Sequence, residues 1–257
     1  MQFLLTNDDG IYARGLSFLK KELSKEEECL VVAPEREQSA VGHAITLSRP
    51  LMVKKYRKNG NFFGYAVTGT PADCVKIGIK ELTDKPIDLV VSGINLGPNV
   101  GIDVIYSGTV SAATEAAILG VPSVAISLDT RSDTADFSFA ATFARKLVLF
   151  MLRHMSLLKG TPLNVNIPAL PKDQIKGVVV TRQGSAQMLE TFERRVDPRE
   201  NIYYWLAGES LTNAEEATDT DTTALRNGMI TITPIRYDLT RYDVMVDLNK
   251  TMKELAF

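Results

Sequence analysis

Asp8 and Asp9 stand side by side in Thr6-Asn7-Asp8-Asp9-Gly10. Two neighbouring carboxylates repel by about 3 kcal/mol at roughly 5 Å and an effective dielectric near 20. A bound cation reverses that sign, whereas a capping turn ordinarily uses one Asp rather than two. Metal ligation and capping are the two readings of the pair, and from these residues both stay open. The chain holds only two histidines, His43 and His154, so a zinc site built on several imidazoles has almost no material. A metal here would take mainly oxygen ligands, which points to Mg²⁺ or Mn²⁺.

Ser39 and Asn95 extend the set by a hydroxyl and a side-chain amide. Each alone reads as a loop or turn residue. Together with Asp8 and Asp9 they form a hard, oxygen-rich group that leaves room for water, as Mg²⁺ prefers. Ser107-Gly108-Thr109 heads a helical pattern whose free N–H groups and dipole favour an anion such as phosphate, with plain N-capping by Ser107 as the alternative. Gly93, Gly97 and Gly101 do not make G-x-G-x-x-G, and no P-loop occurs. A dinucleotide site is therefore poorly supported. Asp8-Asp9-Gly10 also lacks the Asp-x-Asp spacing of aspartyl-phosphate phosphatases.

The elements that must position these groups follow from periodicity. Phe3-Leu4-Leu5 reads as a short buried strand, ended by polar residues and by Gly10, which permits a sharp turn. Leu16, Leu19 and Leu23 predict a helix over 14–25. Leu30 to Ala33, Ile87 to Val91, Val121 to Leu128, Leu163 to Ile167 and Gly177 to Thr181 read as further strands, mostly continuous apolar runs of the kind found in doubly covered parallel sheets. The strands at 51–56 and 62–67 flank the hairpin signal Lys58-Asn59-Gly60-Asn61. Thr70 caps a helix beginning at Pro71, small residues predict a helix from Ser107 to Gly120, and residues 135–159 predict a long amphipathic one. The fold expected is α/β: a Rossmann-like, mostly parallel sheet flanked by helices. In such sheets ligands bind outside the carboxyl ends of the strands, where Asp8, Asp9, Ser39 and Asn95 would all emerge. Past Gly184 the βα alternation stops. Residues 1–184 are expected as the core and 185–257 as a β-rich C-terminal extension, with Ile202 to Leu206 and Met229 to Thr233 strand-like and Asn213 to Thr223 polar.

Composition narrows the function classes. In 257 residues, 45% are apolar and 23% charged, with net charge −2, which suits a folded domain and gives no electrostatic case for a nucleic-acid duplex or membrane surface. No apolar run reaches the roughly 18 residues of a membrane span, and the N-terminus lacks signal-peptide order. Cys29 and Cys74 read as core residues rather than a disulfide framework, so a reducing cytoplasm is expected.

The motifs LLTNDDG, VVAPEREQS, GTPADCV, DLVVSGINLGPNVG, DVIYSGTVSAATEAAILGVPSVAISL, LNVNIP, VTRQG and TDTTALRNGMITITPI occur in this order. In order and spacing they resemble the SurE (stationary-phase survival protein) family along nearly the whole chain. The resemblance implies a metal-dependent phosphomonoesterase acting on nucleoside 5′- and 3′-monophosphates. It implies one divalent ion, Mg²⁺ or Mn²⁺, on Asp8, Asp9, Ser39 and Asn95. It also implies phosphate binding by Asn99, Ser107, Gly108 and Thr109, and an extension that takes part in a homodimer or homotetramer. Tyr203, Tyr204, Trp205 and Ile230 independently offer apolar surface that a small arm can hardly bury alone. The mechanism expected is direct hydrolysis by metal-activated water, with Asp8 and Asp9 as catalytic residues. Arg14 departs from the family's usual Pro, and no role is carried over to His43.

Overall fold

The computed structural model describes every residue except 26, 157, 187, 188, 208–216, 256 and 257; part of the polar stretch, 213–216, lies outside the described residues. The chain alternates β1 (Gln2–Thr6), α1 (Arg14–Leu23), β2 (Glu28–Pro34), β3 (Val53–Lys58), β4 (Asn61–Val67), α2 (Pro71–Glu81), β5 (Leu89–Leu96), α3 (Gly108–Ile118), β6 (Ser123–Asp129), α4 (Ser138–Arg153) and β7 (Leu163–Pro168). It continues through β8 (Val178–Val180), β9 (Thr191–Val196), β10 (Ile202–Ala207), α5 (Asp221–Arg226), β11 (Ile230–Pro234) and α6 (Tyr242–Thr251). A nine-stranded sheet has the order β3-β4-β2-β1-β5-β6-β7-β11-β8, and β9 pairs β10 separately. From β4 to β7 all neighbours are parallel, while β3 and β11 run antiparallel to β4 and β7.

Alternation within the strands makes two cores. Phe3, Leu5, Val31, Ala33, Leu89, Val91, Val124 and Ile126 pack with Leu16 and Leu19 of α1 and Ala144 and Val148 of α4. Leu4, Val32 and Val90 face the other way, onto Cys74 and Val75 of α2 and Ala112 and Ala116 of α3. Each fully buried Leu, Val, Ile or Phe side chain among them contributes about 1.5–3 kcal/mol relative to exposure. The sheet is therefore covered on both faces, which is why its strands read as unbroken apolar runs rather than alternating ones.

Local chemistry sets the ends. Thr70 Oγ1 accepts from Asp73 N–H at 3.1 Å while the Asp73 carboxylate accepts from Thr70 N–H at 2.9 Å, a complete capping box. Asn59 and Gly60 adopt positive φ (51° and 80°) in the β3–β4 turn, as a tight hairpin demands.

Three differences from the pattern matter. The strand expected at 87–91 runs on to Leu96, so Asn95 lies within β5 rather than after it, paired with Ser127. The helix expected over 135–159 is shorter: Ser138 N–H bonds the Asp136 carboxylate at 2.9 Å at its start, and it ends at Arg153. Ile230–Pro234, expected in the extension, is β11 of the main sheet, where Ile230 and Thr231 are buried between β7 and β8. No helix among the described residues is long and apolar enough to cross a membrane.

Candidate metal and phosphate site

β1 stops at Thr6 because the next four residues turn over the carboxyl end of the sheet. The turn is tied to its neighbours by backbone: Ile11 N–H donates to Pro34 O at 2.8 Å, and Gln38 N–H donates to Asp8 O at 2.8 Å. The Asp8 carboxylate is buried under the start of α3. It accepts from Thr109 N–H at 3.1 Å and from the Thr109 hydroxyl, so both oxygens are engaged. A Cβ at Gly108 would lie 2.7 Å from Asp8 Cβ, so only glycine lets the helix come this close. Asp9 is held more loosely, through one 3.3 Å bond from Leu96 N–H at the end of β5.

Burial raises the pKa of Asp8, against the opposing Thr109 bonds. Asp9 is pushed up to about 7, first by burial and then by the charge of Asp8. The site thus holds two carboxylates that a positive charge would stabilise, and no cationic side chain among the described residues pairs with either. Glu37 adds to the negative field at both. Its neighbourhood was foreseeable only from its place two residues before Ser39, and nothing in the sequence singled it out.

Asn95 donates its amide N–H₂ to Gly97 O at 2.8 Å, which leaves its Oδ1 as the free acceptor. The Ser39 hydroxyl donates to Glu37 Oε1 at 2.6 Å and makes no bond to Asp8 or Asp9. Gln38, its neighbour, is the residue that contacts Asp8. Ser107 caps α3, its Oγ accepting from Val110 N–H at 3.1 Å, so the capping alternative is realised. Its hydroxyl hydrogen stays available to an acceptor outside the helix. Asn99 is bound inward: its N–H donates to Asn166 Oδ1 at 2.7 Å, its amide donates to Ser127 Oγ at 2.8 Å, and its carbonyl accepts from Asn164 and Asn166 at 2.8 and 2.9 Å. Asn164 and Asn166 share one face of β7, an alternation visible in Leu-Asn-Val-Asn. Arg14, at the start of α1, donates to Asp133 O at 2.7 Å across the mouth.

Asp221 lies in the motif TDTTALRNGMITITPI, but the sequence assigned it no role. Its buried carboxylate accepts from Gly101 N–H at 3.1 Å and Gly184 N–H at 2.8 Å, pinning the turn that precedes Ser107 to the C-terminal segment. In sequence it is one polar residue among many. Asp129, ending β6 at the same edge, is also raised by burial.

The residues fit a hard divalent cation: Asp8 is buried and Asp9 half-buried beside it, the two repel each other, the Asn95 amide oxygen has no partner among the described residues, and Asn7 Oδ1 beside them is buried without a hydrogen-bond partner. No group of three or more His, Cys, Asp or Glu side chains suited to a metal occurs among the described residues, so the remaining ligands would be neutral oxygens.

An open, doubly wound α/β sheet with its acidic residues at the carboxyl end of the central strand, facing a helix N-terminus, is the class of protein that these features define. The family model described as Survival protein SurE matches residues 3–190. A protein of Syntrophus aciditrophicus (strain SB) named 5′-nucleotidase SurE is 64% identical over 99% of this chain and 95% of its own length. A protein of the same name from Syntrophobacter fumaroxidans is 53% identical over 97% and 99%. The crystal structure of Sure protein from Aquifex aeolicus is 40% identical and superposes with a TM-score of 0.83, covering 98% of this chain and 99% of that one. The chain belongs to the SurE family.

Proposed function

We propose that this protein is a metal-dependent phosphomonoesterase that hydrolyses nucleoside 5′-monophosphates, and 3′-monophosphates as well, to nucleoside and phosphate. The observation that carries the reading is the pair Asp8–Asp9 at the strand ends, Asp8 buried against the N-terminus of α3 and Asp9 half-buried beside it. The activity itself is argued from relatives named 5′-nucleotidase SurE. Asp8, Asp9, Asn95 and Ser39 would hold one Mg²⁺ or Mn²⁺, Ser39 by turning its hydroxyl from Glu37. When bound, such an ion supplies Lewis acidity to a phosphoryl oxygen and to water.

The side chains do the rest. Asp8, locked through both oxygens by Thr109, fixes the geometry. Asp9, held by one long bond, keeps an oxygen to orient the attacking water and accept its proton. The Gly108 N–H and the Ser107 hydroxyl donate to equatorial phosphoryl oxygens as charge shifts in the in-line transition state. Asn99 braces the loop below. The apolar arm around β9 and β10 is assigned to a homodimer or homotetramer, and the cytoplasm is the proposed compartment. The test is phosphate release from 5′- and 3′-nucleotides in heavy-oxygen water under single turnover. Label in the phosphate without a trapped phospho-enzyme supports direct attack; a trappable aspartyl phosphate overturns it.

A further inference from the structure

A carboxylate buried in an alanine-rich helix needs a cause. Glu115 stands in α3 beside Ala112, Ala113, Ala116 and Ala117, and its side chain is 4% exposed. Two groups from different elements take its two oxygens. Lys76 Nζ, on α2, donates to Oε1 at 2.6 Å. His43 Nε2, from the connection after β2, bonds Oε2 at 2.8 Å. An ionised carboxylate only accepts, so this bond puts a proton on Nε2. The hydrolytic mechanism uses none of the three.

The connection that carries His43 also carries Ser39, four residues earlier. None of its residues from Ser39 to Leu47 is buried, Ile45 and Leu47 included, so burial of its own side chains cannot hold it. Polar bonds do. Gln38 N–H reaches Asp8 O at 2.8 Å, Gly42 N–H reaches Tyr106 O at 2.9 Å, and Thr46 N–H reaches the Asp73 carboxylate at 3.0 and 3.2 Å. The Thr70 hydroxyl donates to Ala44 O at 2.7 Å. Between the first two of these the backbone turns sharply, with φ of 55° at Ala40 and 58° at Gly42. Thr46 ties this stretch to one buried carboxylate through its backbone, and His43 ties it to a second, Glu115, through a side chain; hydrogen bonds to charged groups in a low-dielectric surrounding are the strong ones.

We propose that Lys76, Glu115 and His43 form a latch, in which His43 is a positioning residue. The latch holds the connection on α2 and α3 so that Ser39 is presented to the cation bound by Asp8, Asp9 and Asn95. This rests on the metal reading above. Lys76 neutralises Glu115 within the helical layer, and His43 uses the oxygen that remains. Loss of His43 frees the connection while leaving the Lys76–Glu115 pair intact.

The test compares wild type, His43→Ala and His43→Gln by amide hydrogen exchange on the metal-free protein and by calorimetric Mn²⁺ titration. His43→Gln retains a nitrogen that can donate to Glu115. In His43→Ala, amides 38–46 exchange at least about tenfold faster while those of α2 and α3 keep their protection. The Mn²⁺ Kd rises about tenfold, the effect expected of a group that orients a metal ligand. His43→Gln recovers most of both. Unchanged exchange in His43→Ala overturns the latch. Faster exchange with an unchanged Kd overturns the positioning role and leaves a structural tie only. If wild type binds no Mn²⁺ at all, the metal reading falls and the positioning role with it, while the exchange rates still report whether the latch exists.

Discussion

At the carboxyl end of the sheet, polar groups are buried and find partners far away in sequence. Asp8 bonds Thr109, Asn99 bonds Asn166, and Asp221 bonds Gly101. In the arm built from β9 and β10 the arrangement is inverted. Phe192, Ile202, Tyr204, Trp205 and Leu206 are exposed, and polar contacts are local, as between Arg195 and Glu193 or Asn201 and Asp197. α6 buries none of its residues. A region whose polar interior is cross-linked over long sequence distances, with a few oxygens such as Asn7 Oδ1 left over, is specified by its own chain, and its design concerns chemistry. A hairpin whose apolar residues face water, and whose polar contacts among the described residues are local, presents a surface for which we propose a second copy of the chain as the cover.

The sharpest way to break this contrast is at the carboxylates. Asp8→Asn should keep the fold and lower kcat by about 10³-fold or more, since a group made for the transition state acts mainly on kcat. Full activity in that variant, measured by phosphate release, would remove the site. Ser107→Ala should come next, lowering kcat by about 10²-fold if its hydroxyl is an aimed donor, with Mn²⁺ affinity unchanged. Ser107→Gly keeps the cap at little loss to the helix. Unchanged kinetics in both variants would reduce Ser107 to a cap.

For the arm, Trp205→Ser should weaken self-association by about 2 kcal/mol, roughly 30-fold, as for a central aromatic anchor. The β1–β7 core should melt as before. Light scattering that shows wild type as a monomer at micromolar concentration would contradict the proposed completion by a second copy.

The smallest effect separates the two regions by pH. Asp9 is raised from 3.8 to about 7 by burial and by Asp8. Between those values the unfolded chain has already released a proton that the metal-free fold retains. Stability therefore falls as pH rises through that window and stays low above it. Asp9→Asn should flatten this slope and leave the metal-free protein about 1–2 kcal/mol more stable than wild type at pH 8. Denaturant titrations at pH 5 and pH 8 in chelator read it directly; an equal slope in both proteins would argue against a destabilising pair.

Much of the first region was legible because its signals are local. The Thr70 capping box, the Asn59-Gly60 turn and the unbroken apolar strands each depend on a few adjacent residues. The gathering of Asp8, Asp9 and Asn95 at one edge followed from parallel strand order. What stayed hidden depends on pairing across the chain. β11 reads as a strand from Ile230 and Ile232, but nothing local tells it to enter between β7 and β8. Glu115 looks like one helix residue among alanines until Lys76 and His43 converge on it, and Asp221 looks like part of a polar stretch until Gly101 and Gly184 turn their N–H groups to it. The amphipathic pattern of α4 runs past its true end because Leu158 is buried in the turn that follows.

The central claim is that the carboxylate pair at the end of β1 holds a divalent ion for phosphoester hydrolysis. Its most direct test follows phosphate release from a nucleoside 5′-monophosphate by chelator-treated protein as Mn²⁺ is added back, with Asp8→Asn alongside. The account predicts that chelation abolishes release, that Mn²⁺ restores it along a saturable curve, and that Asp8→Asn stays inactive at the Mn²⁺ concentration that saturates wild type. Release that survives chelation, or that Asp8→Asn supports at the wild-type rate, would contradict it.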